Sequence, residues 1–154
     1  MSELRDLYQE IILDHGKSPR NFRKVEDSAN QAKGYNPLCG DSVQVFLEID
    51  GAGRIQDAAF QGRGCAISIA SASLMTDAIK GRTVDEAKAL FDQFRHLVTA
   101  EDDHGHARDR DNLGSLIALG GVRQYPSRVK CATLAWHTMV SAAAGEAKSP
   151  VTTE

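Results

Sequence analysis

Several patterns are missing from this chain, and each absence removes a class of function. There is no excess of positive charge: 18 Lys and Arg against 21 Asp and Glu give a net charge of −3, whereas nucleic-acid binding needs a basic patch. No apolar run approaches the ~20 residues of a membrane-spanning helix; the most apolar stretch, Cys65 to Met75, is short and diluted with serine. The N-terminal Met1-Ser2-Glu3-Leu4-Arg5-Asp6 carries charges where a secretory signal would have an apolar core. No internal repeat, phosphate-binding loop, Ser-His-Asp order or paired carboxylates stand out. These absences lead us to expect a cytoplasmic protein with neither a membrane nor nucleic acid as partner. Cysteine is scarce too. Only three are present among 154 residues, and an odd count argues against a simple disulfide framework.

What is present describes an ordinary globular chain, 42% hydrophobic and 25% charged, long enough to bury a core in one domain. Apolar residues at Leu4, Leu7, Tyr8, Ile11 and Ile12 form one helical stripe, expected to stop near His15-Gly16. After a loop with Pro19 and Asn21, a weakly signalled strand spans Gln31 to Gly34. Val43, Val45, Leu47 and Ile49 then alternate with polar residues, only Phe46 interrupting the polar face. Asp50-Gly51-Ala52-Gly53 turns the chain into an antiparallel return from Arg54 to Gln61. From Cys65 the period becomes helical, with Ile67, Ser71, Leu74 and Ala78 sharing a face and Gly81 ending it. Thr83 and Glu86 form a capping box ahead of an amphipathic helix through Ala87, Leu90, Phe91, Phe94, Leu97 and Val98. Residues 99–112 read as a charged loop, 112–119 as a short helix, and Ser127 onward as a final helix packing through Val129, Thr133, Trp136 and Val140. The expected fold class is α+β, a small antiparallel three-stranded sheet packed against helices. Residues 1–145 form a single domain, followed by a disordered tail over 146–154.

The chemistry is concentrated at Cys39, Cys65 and Cys131, with Asp41 two residues after the first cysteine. Three unrelated cysteines acting as small hydrophobes would be the ordinary alternative. Their flanks argue otherwise: Gly40, Gly64, Arg63, Arg128 and Lys130 crowd around them, and inert core cysteines need no such neighbours. Three thiolates and a carboxylate suit tetrahedral zinc or an iron–sulfur cluster. With all four ionised, a divalent zinc leaves about two negative charges by counting, which nearby cations would balance. Cys65 and Cys131 are expected near helix N-termini, where the dipole favours thiolate. His104 and His106 sit among acidic and basic residues and read as a solvated loop. His15 reads as a partner of the helix dipole, and His96 and His137 as helix-surface residues.

The runs Asn36-Pro37-Leu38-Cys39-Gly40-Asp41, Gly64-Cys65-Ala66-Ile67-Ser68-Ile69-Ala70-Ser71-Ala72-Ser73 and Lys130-Cys131-Ala132-Thr133-Leu134 resemble the three cysteine motifs of the IscU/NifU-N/SufU family. Leu7-Tyr8-Gln9-Glu10-Ile11-Ile12-Leu13-Asp14-His15 also matches, and the likeness covers residues 4 to 142. Scaffold-type members carry a histidine before the third cysteine and a Leu-Pro-Pro-Val-Lys motif upstream. Here Lys130 and Tyr125-Pro126-Ser127-Arg128-Val129-Lys130 stand in those places, and the interval from Cys65 to Cys131 is long, as in the SufU branch.

That resemblance implies an iron–sulfur cluster assembly protein: a zinc-dependent sulfurtransferase that accepts persulfide sulfur from a SufS-type cysteine desulfurase. It implies zinc ligands at Cys39, Asp41, Cys65 and Cys131, with Cys39 the sulfur acceptor once a desulfurase histidine displaces it from zinc. Arg128 would orient Asp41 or balance its charge. The alternative it leaves open is a scaffold assembling a [2Fe–2S] cluster on the same residues, with iron in place of zinc and other cluster-assembly proteins as partners.

Overall fold

The structure, a computed structural model, describes residues 2–26, 28–37, 40–99, 113–145 and 151–152. Cys39, most of the charged loop with His104 and His106, and much of the tail lie outside the described residues.

Helix α1 (Ser2–Lys17) is followed by strands β1 (Asn30–Asn36), β2 (Asp41–Ile49) and β3 (Ile55–Arg63), and then by helices α2 (Ala66–Ile79) and α3 (Val84–Thr99). A 3₁₀ segment (Gly114–Gln124) and helix α4 (Pro126–Ala144) complete the domain, and β4 (Val151–Thr152) is a two-residue strand. The sheet order is β3-β2-β1-β4. The first three strands are antiparallel, as the alternation in the sequence predicts, and β4 runs parallel to β1 at Gly34–Tyr35. Two residues of the segment expected to be disordered thus add a fourth strand.

Helix α4 lies over β1 and β2, α2 packs on β3, α4 and α1, and α3 packs on α4. Both central helices are buried nearly all round: α4 buries Cys131 to Trp136, Thr138, Met139 and Ala142, and α2 buries Ala70 to Thr76. The single packing faces read from the sequence are therefore too narrow, because each helix has neighbours on several sides. Trp136 is fully buried and stacks on Phe91 (5.7 Å) and Phe94 (4.9 Å) of α3. Phe46, the residue that interrupts the polar face of β2, is only 1% exposed.

Local chemistry accounts for most element ends. The capping box is present as expected: the Thr83 amide donates to Glu86 Oε1 (2.8 Å), and the Glu86 amide to Thr83 Oγ1 (3.1 Å). Pro126 occupies the start of α4, and Gly145 ends it with a left-handed φ of 72°. Helix α1 runs past its expected stop; Gly16 stays inside it and packs against Ala66 at the start of α2, and Pro19 ends the helical path. Leu7, expected on the packing stripe, is half exposed, while Ile11 and Ile12 face the core. The short helix expected near 112–119 is 3₁₀ and continues through Gly120-Gly121. Leu113, Leu116, Leu119 and Val122 are all buried, and a spacing of three aligns them only in a helix with three residues per turn.

The histidine expectations change with packing. His15 is buried and hydrogen-bonded to Ser73 Oγ at 2.7 Å, and burial, helped by the Arg20 charge, holds its pKa below the ordinary value. His137 is not a free surface residue: it meets the Phe91 ring edge-on at 4.9 Å. Burial, then Arg95, lowers its pKa as well. Both rings resist protonation in the fold, so the unfolded chain binds more protons below its histidine pKa. Stability contributed by the neutral rings is full above about pH 6.5 and is lost as pH falls below it. In His15→Asn/His137→Asn, the drop in urea midpoint between about pH 7 and about pH 5.5 should be smaller than in wild type.

Gly34 marks the closest approach of β1 to α4. A Cβ there would lie 2.0 Å from Thr138 Oγ1 and 3.1 Å from Leu134 Cδ1. Gly34→Ala should therefore destabilise the domain by about 1–3 kcal/mol in chemical denaturation. Thr138→Ala in the same chain should recover part of that loss.

Candidate metal centre

At one end of the sheet, on the face covered by helices, three of the four candidate ligands meet. Asp41 opens β2, Cys65 is the N-cap residue of α2, and Cys131 lies in the second turn of α4. Their ligand atoms all lie within 4.8 Å of one another. The helix bearing Cys131 starts at Pro126, one residue before the expected Ser127, so Cys131 is its sixth residue and is fully buried. Cys65 is partly exposed. Cys39, the fourth candidate, is not among the described residues.

The antiparallel register explains why these residues converge. Asn36 pairs with Asp41, and Gly34 with Val43, so Asp41 shares the helix-facing side with the buried Val43, Val45 and Leu47. Beside it, β3 ends at Arg63 and the chain turns through Gly64 into α2. The Cys65 amide donates to Asp41 Oδ1 at 2.9 Å, and Cys65 Sγ lies 3.9 Å from Oδ2. That amide is one of the unsatisfied donors at the start of α2, so the carboxylate receives both a hydrogen bond and the positive end of the helix. Gly64 has φ +152°, and a Cβ there would sit 2.1 Å from Asp41 Oδ1. Only a residue without a side chain leaves room for the carboxylate.

The donor set fits a tetrahedral thiolate metal. Metal–sulfur bonds of about 2.3 Å and metal–oxygen bonds of about 2.1 Å place tetrahedral ligand atoms roughly 3.5–3.8 Å apart. The Cys65–Asp41 separation of 3.9 Å already approaches that spacing. A carboxylate with no solvent exposure is also costly unless it is paired or bound to a metal. Two thiols and one carboxylate are donors suited to zinc or to the iron of a cluster.

The basic residues expected to balance this charge flank Cys65 and Cys131 in sequence. Arg63 and Arg128 are exposed and Lys130 is half-buried, and the Cys65 amide is one contact that orients Asp41. Sequence reasoning assigned no role to Asn36, which is fully buried with its carboxamide nitrogen 3.8 Å from Cys131 Sγ. The available signal was a polar residue on the buried alternation Ala32, Gly34, Asn36. It also gave no role to the Ser71 hydroxyl, which donates to the Ala132 carbonyl at 2.5 Å and accepts from the Trp136 indole at 3.2 Å.

An α+β domain with a thiol–carboxylate cluster at one end of its sheet is the class that fold and site define. Comparison with known proteins is more specific. The family model for the NifU-like N terminal domain matches residues 7–132. Over 145 residues the chain is 39% identical to the zinc-dependent sulfurtransferase SufU of Bacillus subtilis, covering 94% of this chain and 95% of that protein. It is 37% identical to the iron-sulfur cluster assembly scaffold protein IscU of Streptococcus pyogenes, covering 92% of this chain and 86% of that one. The crystal structure of FiSufU from Fervidobacterium islandicum AW-1 superposes with a TM-score of 0.76 at 35% identity, covering 84% of this chain and 91% of that one. This chain belongs to the NifU-like N-terminal domain family.

The contact at Gly64 yields a sharp test of Asp41. Gly64→Ala should displace the carboxylate and weaken zinc binding by about tenfold or more, measured by competition with a chromophoric chelator. Circular dichroism of the metal-free variant checks that the weakened binding is not a loss of the fold, which Gly64→Ala also strains through the buried carboxylate. Unchanged zinc affinity would remove Asp41 from the ligand set.

Proposed function

We propose that this protein is a zinc-dependent sulfur acceptor of cytoplasmic iron–sulfur cluster assembly, taking persulfide sulfur from a SufS-type cysteine desulfurase. The observation that carries this reading is the 39% identity, across 94% of the chain, to a zinc-dependent sulfurtransferase. Lys130 rather than histidine before Cys131 supports the same branch, as does the convergence of Asp41, Cys65 and Cys131.

In this reading Cys39, Asp41, Cys65 and Cys131 are the zinc ligands, and Cys39 is the acceptor. Bound zinc would supply the positive charge that keeps the thiols deprotonated near neutral pH. The Cys39 thiolate attacks the outer sulfur of the desulfurase persulfide. A new sulfur–sulfur bond forms on Cys39, the bond on the desulfurase breaks, and its cysteine leaves as thiolate. The exchange consumes no oxidant. Asp41 and Cys131 are fully buried while Gly40 is exposed with φ +72° and open space around its Cα. This arrangement suits two fixed inner ligands beside a loop a partner can reach. Arg128, in the first turn of α4, contributes positive charge at the rim.

A second reading, a scaffold on which a [2Fe–2S] cluster is assembled from iron and sulfide and passed to apo-proteins, is favoured by the relative named as an IscU scaffold. It uses the same donors. Metal analysis and desulfurase assays separate the two. One equivalent of zinc with strong stimulation of cysteine desulfuration is expected. Iron with acid-labile sulfide and little stimulation would put the scaffold first. Cys39→Ala should keep weakened zinc binding and lose the stimulation; full stimulation by this variant would overturn the acceptor role.

A further inference from the structure

Asn36 meets several of the segments around the candidate centre. It is the last residue of β1, with no solvent exposure. Its carboxamide nitrogen points at Cys131 Sγ at 3.8 Å, long for oxygen but within reach of the larger sulfur atom. Its carbonyl accepts the Gly40 amide at 2.9 Å. Across the sheet it stands opposite Asp41. One buried side chain and its backbone therefore connect the helix bearing Cys131, the Gly40 amide and the strand bearing Asp41.

A carboxamide presents N–H donors, and a sulfur carrying negative charge accepts a hydrogen bond far better than a neutral thiol does. Groups of this kind behind a metal ligand orient it and withdraw charge from it. Burial sharpens the choice of residue. An apolar side chain here would leave the sulfur without this donor, and aspartate, of nearly the same shape, would present a second negative charge to it. We infer that Asn36 is a positioning residue of the metal centre, directing an N–H at Cys131 Sγ to orient that thiolate and disperse its charge in the metal-bound state. The inference rests on the metal-ligand reading above, and not on the direction of sulfur transfer.

Asn36→Asp and Asn36→Ala, compared with wild type in the full chain, test it by two readouts. The first is zinc affinity by chelator competition. The second is the thiolate-to-metal charge-transfer absorption of the cobalt(II)-substituted protein, which reports charge on sulfur. Both variants should bind zinc about tenfold or more weakly, Asn36→Asp the weaker of the two, with the cobalt band shifted to lower energy. In a Cys131→Ser background the effect of Asn36→Ala on affinity should shrink, since the sulfur it acts through is gone. Folded variants with wild-type affinity and an unmoved band overturn the inference alone. Loss of the folded metal-free protein in both variants would also overturn it, making Asn36 a residue of the fold rather than of the centre. Wild-type protein that holds neither zinc nor cobalt would instead sink the metal-ligand reading, and this inference with it.

Discussion

The hydrogen bond from the Cys65 amide to the buried carboxylate of Asp41 is the interaction on which the site depends. It ties the first residue of β2 to the junction of β3 and α2, and so fixes where α2 begins relative to the sheet. Depriving a buried polar group of its partner costs about 1–3 kcal/mol, and more when the group is charged, so the contact holds both segments in place. It requires Gly64, because any side chain there would occupy the position of the carboxylate oxygen. A glycine, a backbone donor and an acid from different segments thereby form one unit, and the two sulfurs close around it.

The second support is the seating of α4. Trp136, stacked on two phenylalanines of α3 and donating its indole N–H to Ser71 of α2, fixes the rotation of α4 about its axis. The close approach of Gly34 to Thr138 sets its height over β1. Cys131, five residues before Trp136 on the same rigid helix, is carried to the carboxylate by these contacts. The apolar core thus determines the distance between candidate ligands that lie 66 positions apart in sequence (131 − 65).

Much of this was legible in the sequence because the signals are local. The alternation in Val43, Val45, Leu47 and Ile49 gives β2, the turn at Asp50–Gly53 gives its partner, and Thr83 with Glu86 marks the start of α3. The three cysteine motifs with Asp41 name the candidate centre outright. Other features were misread where tertiary packing overrode local preference. His15 was expected to serve the helix dipole at the end of α1, but α2 covers it and burial dominates its chemistry. The segment after Leu113 reads as an α-helix by composition, yet its three-residue apolar spacing fits a 3₁₀ helix against α3.

The sequence by itself determined the pairing of the first three strands, the element boundaries set by caps and turns, and the candidate donors, since each depends on residue type at short separation. Only the tertiary structure decided that Asp41, Cys65 and Cys131 converge within 4.8 Å. It alone showed that Cys131 is fully buried and that Asn36 stands behind it. The physical reason is that a one-residue register in β1 and β2, and a few degrees of rotation of α4, choose which side chains meet. Those are set by the whole packed core, and no single segment encodes them.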